Sequence, residues 1–154
     1  MGSALIALDP ARLSAANINP ATGLATDYLN HFNEAAMLAD MLPAMPEVAE
    51  ELLAWAPRAY EAHFRVTGFR DADLVISAWE AADPAVRAAF GAACAGVEGL
   101  MATLQAAIAS GAPAETFAPG LASALYEAIS VADGVIHGRA SETEAQSDID
   151  ALFS

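Results

Sequence analysis

"DPAVRAAFGAACAGVEGLMATLQAAIASG", residues 83–111, decides the fold. Asp83 followed by Pro84 is a helix start. The carboxylate accepts a first-turn N–H, and proline fits a position whose own N–H would have no intrahelical partner. Ser110 and Gly111 supply the stop. Between these signals the apolar residues fall at Val86, Phe90, Ala93, Val97, Leu100 and Leu104, a 4-3-4-3-4 spacing that makes one sticky seam along a helix. A second seam follows "GAPAETFAPG". Leu121, Leu125, Ala128, Ala132 and Val135 repeat the 4-3 spacing over residues 119–138. Two long helices with a short connection fold back as an antiparallel hairpin. Gly91, Gly96 and Gly99 weaken the first of them, and the expectation is that they let another backbone approach closely.

Working outward, strand signals are nearly absent. Residues 1–23 read as an N-terminal arm, with a short helix after Asp9 and a turn at "NPATG". A helix over residues 24–42 centres its apolar stripe on Tyr28, Phe32, Ala35 and Ala39. Pro43 and Pro46 punctuate it. "PEVAEELLAWA" gives another helix, its first turns acidic where the helix dipole favours anions. Pro57 is expected to open a short helix ending near Gly68, and Asp71 to cap one over residues 72–82. The expected fold is all-α: a helical bundle over residues 24–138 with a long C-terminal antiparallel hairpin. Residues 139–154 form a polar tether and a peptide.

The chain carries 20 acidic and 6 basic residues, a net charge of −14. Phosphate binding needs Lys and Arg to displace counterions, so nucleic acid is excluded as a partner. An anionic membrane surface is disfavoured on the same ground. A basic protein surface is the natural partner. Residues 88–112 are the most apolar stretch, but Glu98 at the centre of a span would cost about 3 kcal/mol, so no membrane span is expected. No cation precedes Arg12, so the start does not read as a secretory signal. Cys94 is the only cysteine. In "AACAGV" it reads as a small core residue, and a cytoplasmic location is the expectation.

Three histidines raise the question of chemistry. Asp27, His31 and Glu34, and separately Asp133 and His137, have spacings that put ligands on one helix face, the alternative metal set. The faces argue against it, because Asp27 and Glu34 lie opposite the apolar stripe and His31 lies at its border. Tyr126, Ser130, Asp133 and His137 share another polar face. "HGRAS" and "HFRVTG" are loose matches to a histidine-phosphotransfer pattern. All three histidines read as solvated or capping residues, and no cofactor is expected. Arg58, Tyr60, Arg65 and Arg70, interleaved with Trp55, Phe64 and Phe69, form the one basic, aromatic region. It reads either as core aromatics with solvated Arg heads or as a docking patch.

"QSDIDALFS", residues 146–154, stands apart. In helical form Ile149, Leu152 and Phe153 make one apolar face flanked by Asp148 and Asp150. So short a helix is unstable alone and would fold on a partner or pack back on the bundle. The segment resembles the receiver-binding peptide of the flagellar motor-switch protein FliM, whose pattern is S-Q-x-[DE]-I-D-A-L-[LF]. Gln146, Asp148, Ile149, Asp150, Ala151, Leu152 and Phe153 match, and Ala145 replaces the serine. It is also similar to the acidic end of the chemotaxis phosphatase CheZ, another helical-bundle protein. The resemblance implies a CheY-like receiver domain as partner and a non-enzymatic adaptor or regulator as function. The first alternative is a receiver phosphatase, but the D-x-x-x-Q arrangement of that family is missing, since Met101 stands four residues before Gln105. The second alternative is a metal-binding bundle. A homo-oligomer is compatible with all three.

Overall fold

The computed structural model describes residues 9–138. Within them lie seven α-helices: α1 (Pro10–Ala15), α2 (Asn30–Met41), α3 (Ala49–Ala54), α4 (Tyr60–Val66), α5 (Ala72–Ala81), α6 (Pro84–Ala109) and α7 (Ala114–Ile136). Single 3₁₀ turns, Thr26–Leu29 and Pro46–Val48, lead into α2 and α3. Among the described residues the only β pairing is one isolated bridge, Ile18 with Ala25. The chain is an all-α bundle. α6 and α7 form the antiparallel hairpin, and α2 packs along α7.

α6 begins as its sequence dictates, with Asp83 Oδ1 accepting the Ala85 N–H at 2.8 Å. Its buried stripe is Phe90, Cys94, Val97, Met101 and Leu104, with Val86, Ala93 and Leu100 half-buried at its margin. Phe90, Val97 and Leu104 are buried as expected, and Cys94 and Met101 take the places read for Ala93 and Leu100. α7 starts at Ala114, five residues before the expected boundary, and Pro119 lies inside it. Proline there removes the bond to the Glu115 carbonyl. The ring is exposed, so it displaces no neighbour. The buried stripe of α7 is Ala118, Ala122, Leu125, Ile129, Ala132, Val135 and Ile136.

The described part of the N-terminal arm belongs to the bundle, since Leu13, Ala16 and Ile18 are buried in the common core. Asp9 caps α1 through the Arg12 N–H. Asn19 Oδ1 accepts the Ala21 N–H at 2.8 Å and closes the following turn. Gly23 sits at φ 77°, and a Cβ there would stand 3.0 Å from the Ala78 carbonyl oxygen, so this turn lies against the backbone of α5. Thr22 Oγ1 donates to the Ile136 carbonyl at 2.6 Å, tying the turn to the end of α7. Gly138, at φ 73°, stops that helix.

Two smaller boundaries differ from expectation. Residues 55–59 lie outside any helix, with Trp55 and Ala59 extended, and α4 starts at Tyr60 rather than at Pro57. A residue before proline avoids the helical region, which holds Ala56 extended. Asp71 occupies the cap position of α5, but its side chain makes no capping bond.

By length and composition alone α6 is sufficient to cross a membrane, and 22% of its most apolar stretch is buried. The remainder is a surface of small side chains. Gly91, Gly96 and Gly99 lie on it, exposed, and a Cβ added at any of them would have nothing within 4 Å. The expected close backbone approach is therefore absent within the described chain. These glycines cost helix propensity without a packing return. Gly96→Ala should stabilise the protein by about 0.5–1 kcal/mol, read as a higher urea midpoint with an unchanged slope. A lower midpoint would mean that this face is covered in solution.

Candidate functional site

The polar chemistry of the bundle gathers around residues 55–59. An extended strap has carbonyls that no helix satisfies, so side chains must meet them. Tyr28 Oη donates to the Arg58 carbonyl. His31 Nε2 donates to the Ala56 carbonyl at 2.6 Å. Gln105 Nε2 donates to the Leu52 carbonyl at 2.9 Å and the Trp55 carbonyl at 2.7 Å, capping the end of α3 from across the bundle. In return Trp55 Nε1 donates to the His31 carbonyl at 3.1 Å. The Trp55 and His31 rings stack 4.7 Å apart at 17°.

His31 is thus a buried residue of the core margin, not the solvated group expected from its helix face. Burial pushes its pKa below the usual histidine value, the Ala56 bond pulls the other way, and Arg58 and His63 lower it further. His63 is more deeply buried, at 2% exposure. Its Nε2 lies 3.1 Å from Asp27 Oδ2, and its Nδ1 is buried without a partner. Asn30 Nδ2 donates to the other oxygen of Asp27. His137 is exposed, and its Nδ1 donates to the carbonyl of Asp133, with the Asp133 carboxylate 3.3 Å away. The alternative metal set, Asp27, His31, Glu34, Asp133 and His137, is therefore divided among separate contacts. Among the described residues no three potential ligands converge on a metal position.

The expected docking patch loses its aromatic centre. Tyr60 is buried, accepts the Ala25 N–H at 2.8 Å and stacks on Trp79 at 4.3 Å. Burial raises its hydroxyl pKa well above the usual range. Phe64 is fully buried, with Phe69 edge-on to it. Arg65 and Arg70 are exposed, and Arg65 reaches Asp73 at 4.0 Å. Arg58 is half-buried and belongs to a different surface. Cys94 is buried, and burial followed by the nearby Glu98 pushes its thiol up to about 12, which removes it as a nucleophile.

That different surface is a groove of about 410 Å³ between α2 and the strap. It is lined by His31, Glu34, Leu38, Glu51, Trp55 and Arg58, with Ala54, Ala56 and Pro57 as small walls. Sequence alone puts Arg58 and Glu34 in two unrelated hypotheses and does not single out Glu51. The available signal is weak: Trp55 and Arg58 flank the Ala-Pro pair that makes the strap extended. The six tail residues Gln146, Asp148, Ile149, Asp150, Leu152 and Phe153 lie outside the described residues.

The lowered pKa of His31 has a pH signature. Below 6.5 the unfolded chain takes up the proton before the folded one does. Unfolding is then favoured as pH falls, and the contribution of neutral His31 is fully present only above that value. His31→Gln should remove this increment. The difference in urea-derived stability between wild type and variant should therefore be constant above about pH 7 and should shift against the wild type at lower pH. Parallel profiles down to pH 5 would show that His31 is not held neutral.

Compared with protein-family models, curated proteins and solved structures, the chain gives no match.

Proposed function

We propose that this protein is a cytoplasmic, non-catalytic signalling adaptor or regulator whose C-terminal peptide binds a CheY-like receiver domain. The observation that carries the proposal is the peptide itself. Gln146, Asp148, Ile149, Asp150, Leu152 and Phe153 stand in the order of a receiver-binding motif, on a chain of net charge −14. The bundle supplies support of a different kind. Its end is fixed: Gly138 stops α7 and Thr22 holds the last-turn carbonyl of Ile136. A segment continuing from there starts at a defined point on a folded support, which limits the volume it searches.

Three side chains that catalysis could draw on, Gln105, Cys94 and His31, are engaged otherwise. A receiver phosphatase of the family the tail resembles would need a glutamine to orient water. In this chain the Gln105 amide holds two backbone carbonyls. Cys94 is a neutral buried thiol, and His31 is committed to the strap. Recognition is therefore assigned to apolar burial by Ile149, Leu152 and Phe153, about 1.5–3 kcal/mol each before ordering costs. Asp148 and Asp150 act mainly on association rate and salt dependence.

Removing residues 146–154 should leave the thermal melt of the bundle unchanged and abolish binding to the receiver. Phe153→Ala or Ile149→Ala should weaken it by more than about tenfold, chiefly through faster dissociation. Asp148→Asn with Asp150→Asn should cost less and flatten the salt dependence. The measurement is a titration against phosphorylated and unphosphorylated CheY-like receivers. Absence of binding to both forms at hundreds of micromolar ends the receiver proposal, and a large drop in melting temperature on truncation would place the three apolar residues in the core instead.

A further inference from the structure

The groove at Trp55 carries charges that the fold does not use. Glu34 and Glu51 are exposed there, and neither carboxylate has a hydrogen bond or ion pair among the described residues. The Arg58 guanidinium likewise pairs with no carboxylate among them. Glu34, Arg58 and the His31 ring line this same groove, and the two charges act on the imidazole in opposite senses. The indole N–H of Trp55 is spent on the His31 carbonyl, and what its ring offers the groove is carbon surface. Leu38, Ala54, Ala56 and Pro57 extend that surface.

We propose that this groove receives a lysine or arginine side chain of a partner protein. An anion would meet two carboxylates, and a purely apolar group would leave three charges stripped of water. A long basic side chain fits both demands. Its aliphatic stem covers Trp55 and Leu38, and its cation lies between Glu34 and Glu51. Arg58 then faces the backbone carbonyl of the same residue and donates to it. The volume of about 410 Å³ falls in the range of binding clefts. The groove deepens the reading of a basic partner surface and is independent of the tail motif.

The test uses the full chain and Nα-acetyl-arginine methylamide as probe, followed by the indole N–H resonances of the two tryptophans, with Trp55→Phe to assign them. The Trp55 signal should shift on titration and the Trp79 signal should not. The citrulline counterpart, equal in shape but uncharged, should give no shift at the same concentrations. Glu34→Gln with Glu51→Gln should weaken the response by more than about tenfold at an unchanged melting temperature, because both side chains are exposed and unpaired. Deleting residues 146–154 should leave the response intact. Equal shifts with citrulline, an unaffected double variant, or a silent Trp55 up to the solubility of the probe would each overturn the proposal. Failure of the tail to bind receivers with the groove response intact would sink only the receiver reading, and the reverse outcome only this one.

Discussion

The contact on which the rest of the structure depends is the packing of α2 along α7, both of whose buried stripes are rich in alanine. Ala35, Ala36 and Ala39 on one helix, and Ala118, Ala122 and Ala132 on the other, are all buried. Small side chains let helix axes approach at the short end of the usual range of roughly 8–10 Å. Each alanine gives little transfer energy, yet it loses no rotamer entropy on burial. Larger side chains share the same stripes: Phe32 on α2, and Leu125 and Ile129 between Ala122 and Ala132 on α7. The aromatic cluster of Tyr28, Phe32, Tyr60, Phe64, Trp79 and Phe90 forms where α2, α4, α5 and α6 meet, with ring centroids 4.3–6.3 Å apart.

That arrangement also sets the polar chemistry. The chain between α3 and α4 must cross the margin of the aromatic cluster in five residues, 55–59, and Pro57 forbids a helical path there. Its carbonyls are partly shielded from water, and an unmet buried carbonyl costs about 1–3 kcal/mol. Tyr28, His31 and Gln105, drawn from two different helices and the turn before α2, meet those carbonyls. The most chemically versatile side chains of the bundle are consumed in this way. Loss of Gln105 would strip the Trp55 carbonyl of this partner and leave the Leu52 carbonyl only the longer bond from the Trp55 N–H at 3.3 Å, which makes its role structural.

How much of this is legible in the sequence follows from what each signal specifies. The Asp83-Pro84 start and the stop at Gly111 are local events that the chain writes explicitly, and α6 has those ends. The phase of its seam is not written. Ala93 and Cys94, like Leu100 and Met101, are adjacent apolar pairs, so a 4-3 repeat can be drawn through either member. Pro119 misleads because proline marks helix starts on average, and an exposed proline in the second turn loses only one bond. The histidines mislead for another reason. Neutral imidazole packs as an aromatic ring. Tyr60, His63 and Phe64, at i, i+3 and i+4, are one apolar face once His63 is counted as such. Glu51 and Arg58 cannot be joined to Glu34 from sequence, because the groove exists only after the strap has turned α3 back past α2. The tail motif is legible as a pattern alone, since residues 139–154 lie outside the described structure.

The fold and the proposed recognition divide the sequence between them. Most apolar residues of the bundle are spent on packing, although Met37, Met41, Met45, Leu53, Val66 and Val131 stay exposed, and its buried polar groups are spent on internal contacts. Charge is the rest of what it offers partners. A chain of net charge −14 repels other acidic proteins and draws basic surfaces from beyond contact range, at distances up to about the 8 Å screening length of physiological salt. Such attraction selects a class of partner but not one member of it. Specificity needs desolvated contacts of fixed shape. Both proposed sites set apolar side chains beside a pair of acids: in the tail sequence Ile149, Leu152 and Phe153 stand with two aspartates, and the groove is lined by Trp55 with Glu34 and Glu51. Both combine the same two terms, an acid pair that orients a basic surface and a hydrophobic patch that holds it. A partner engaging both sites would gain from their connection through one folded support, because the second contact is then intramolecular and its entropy cost has largely been met by the first.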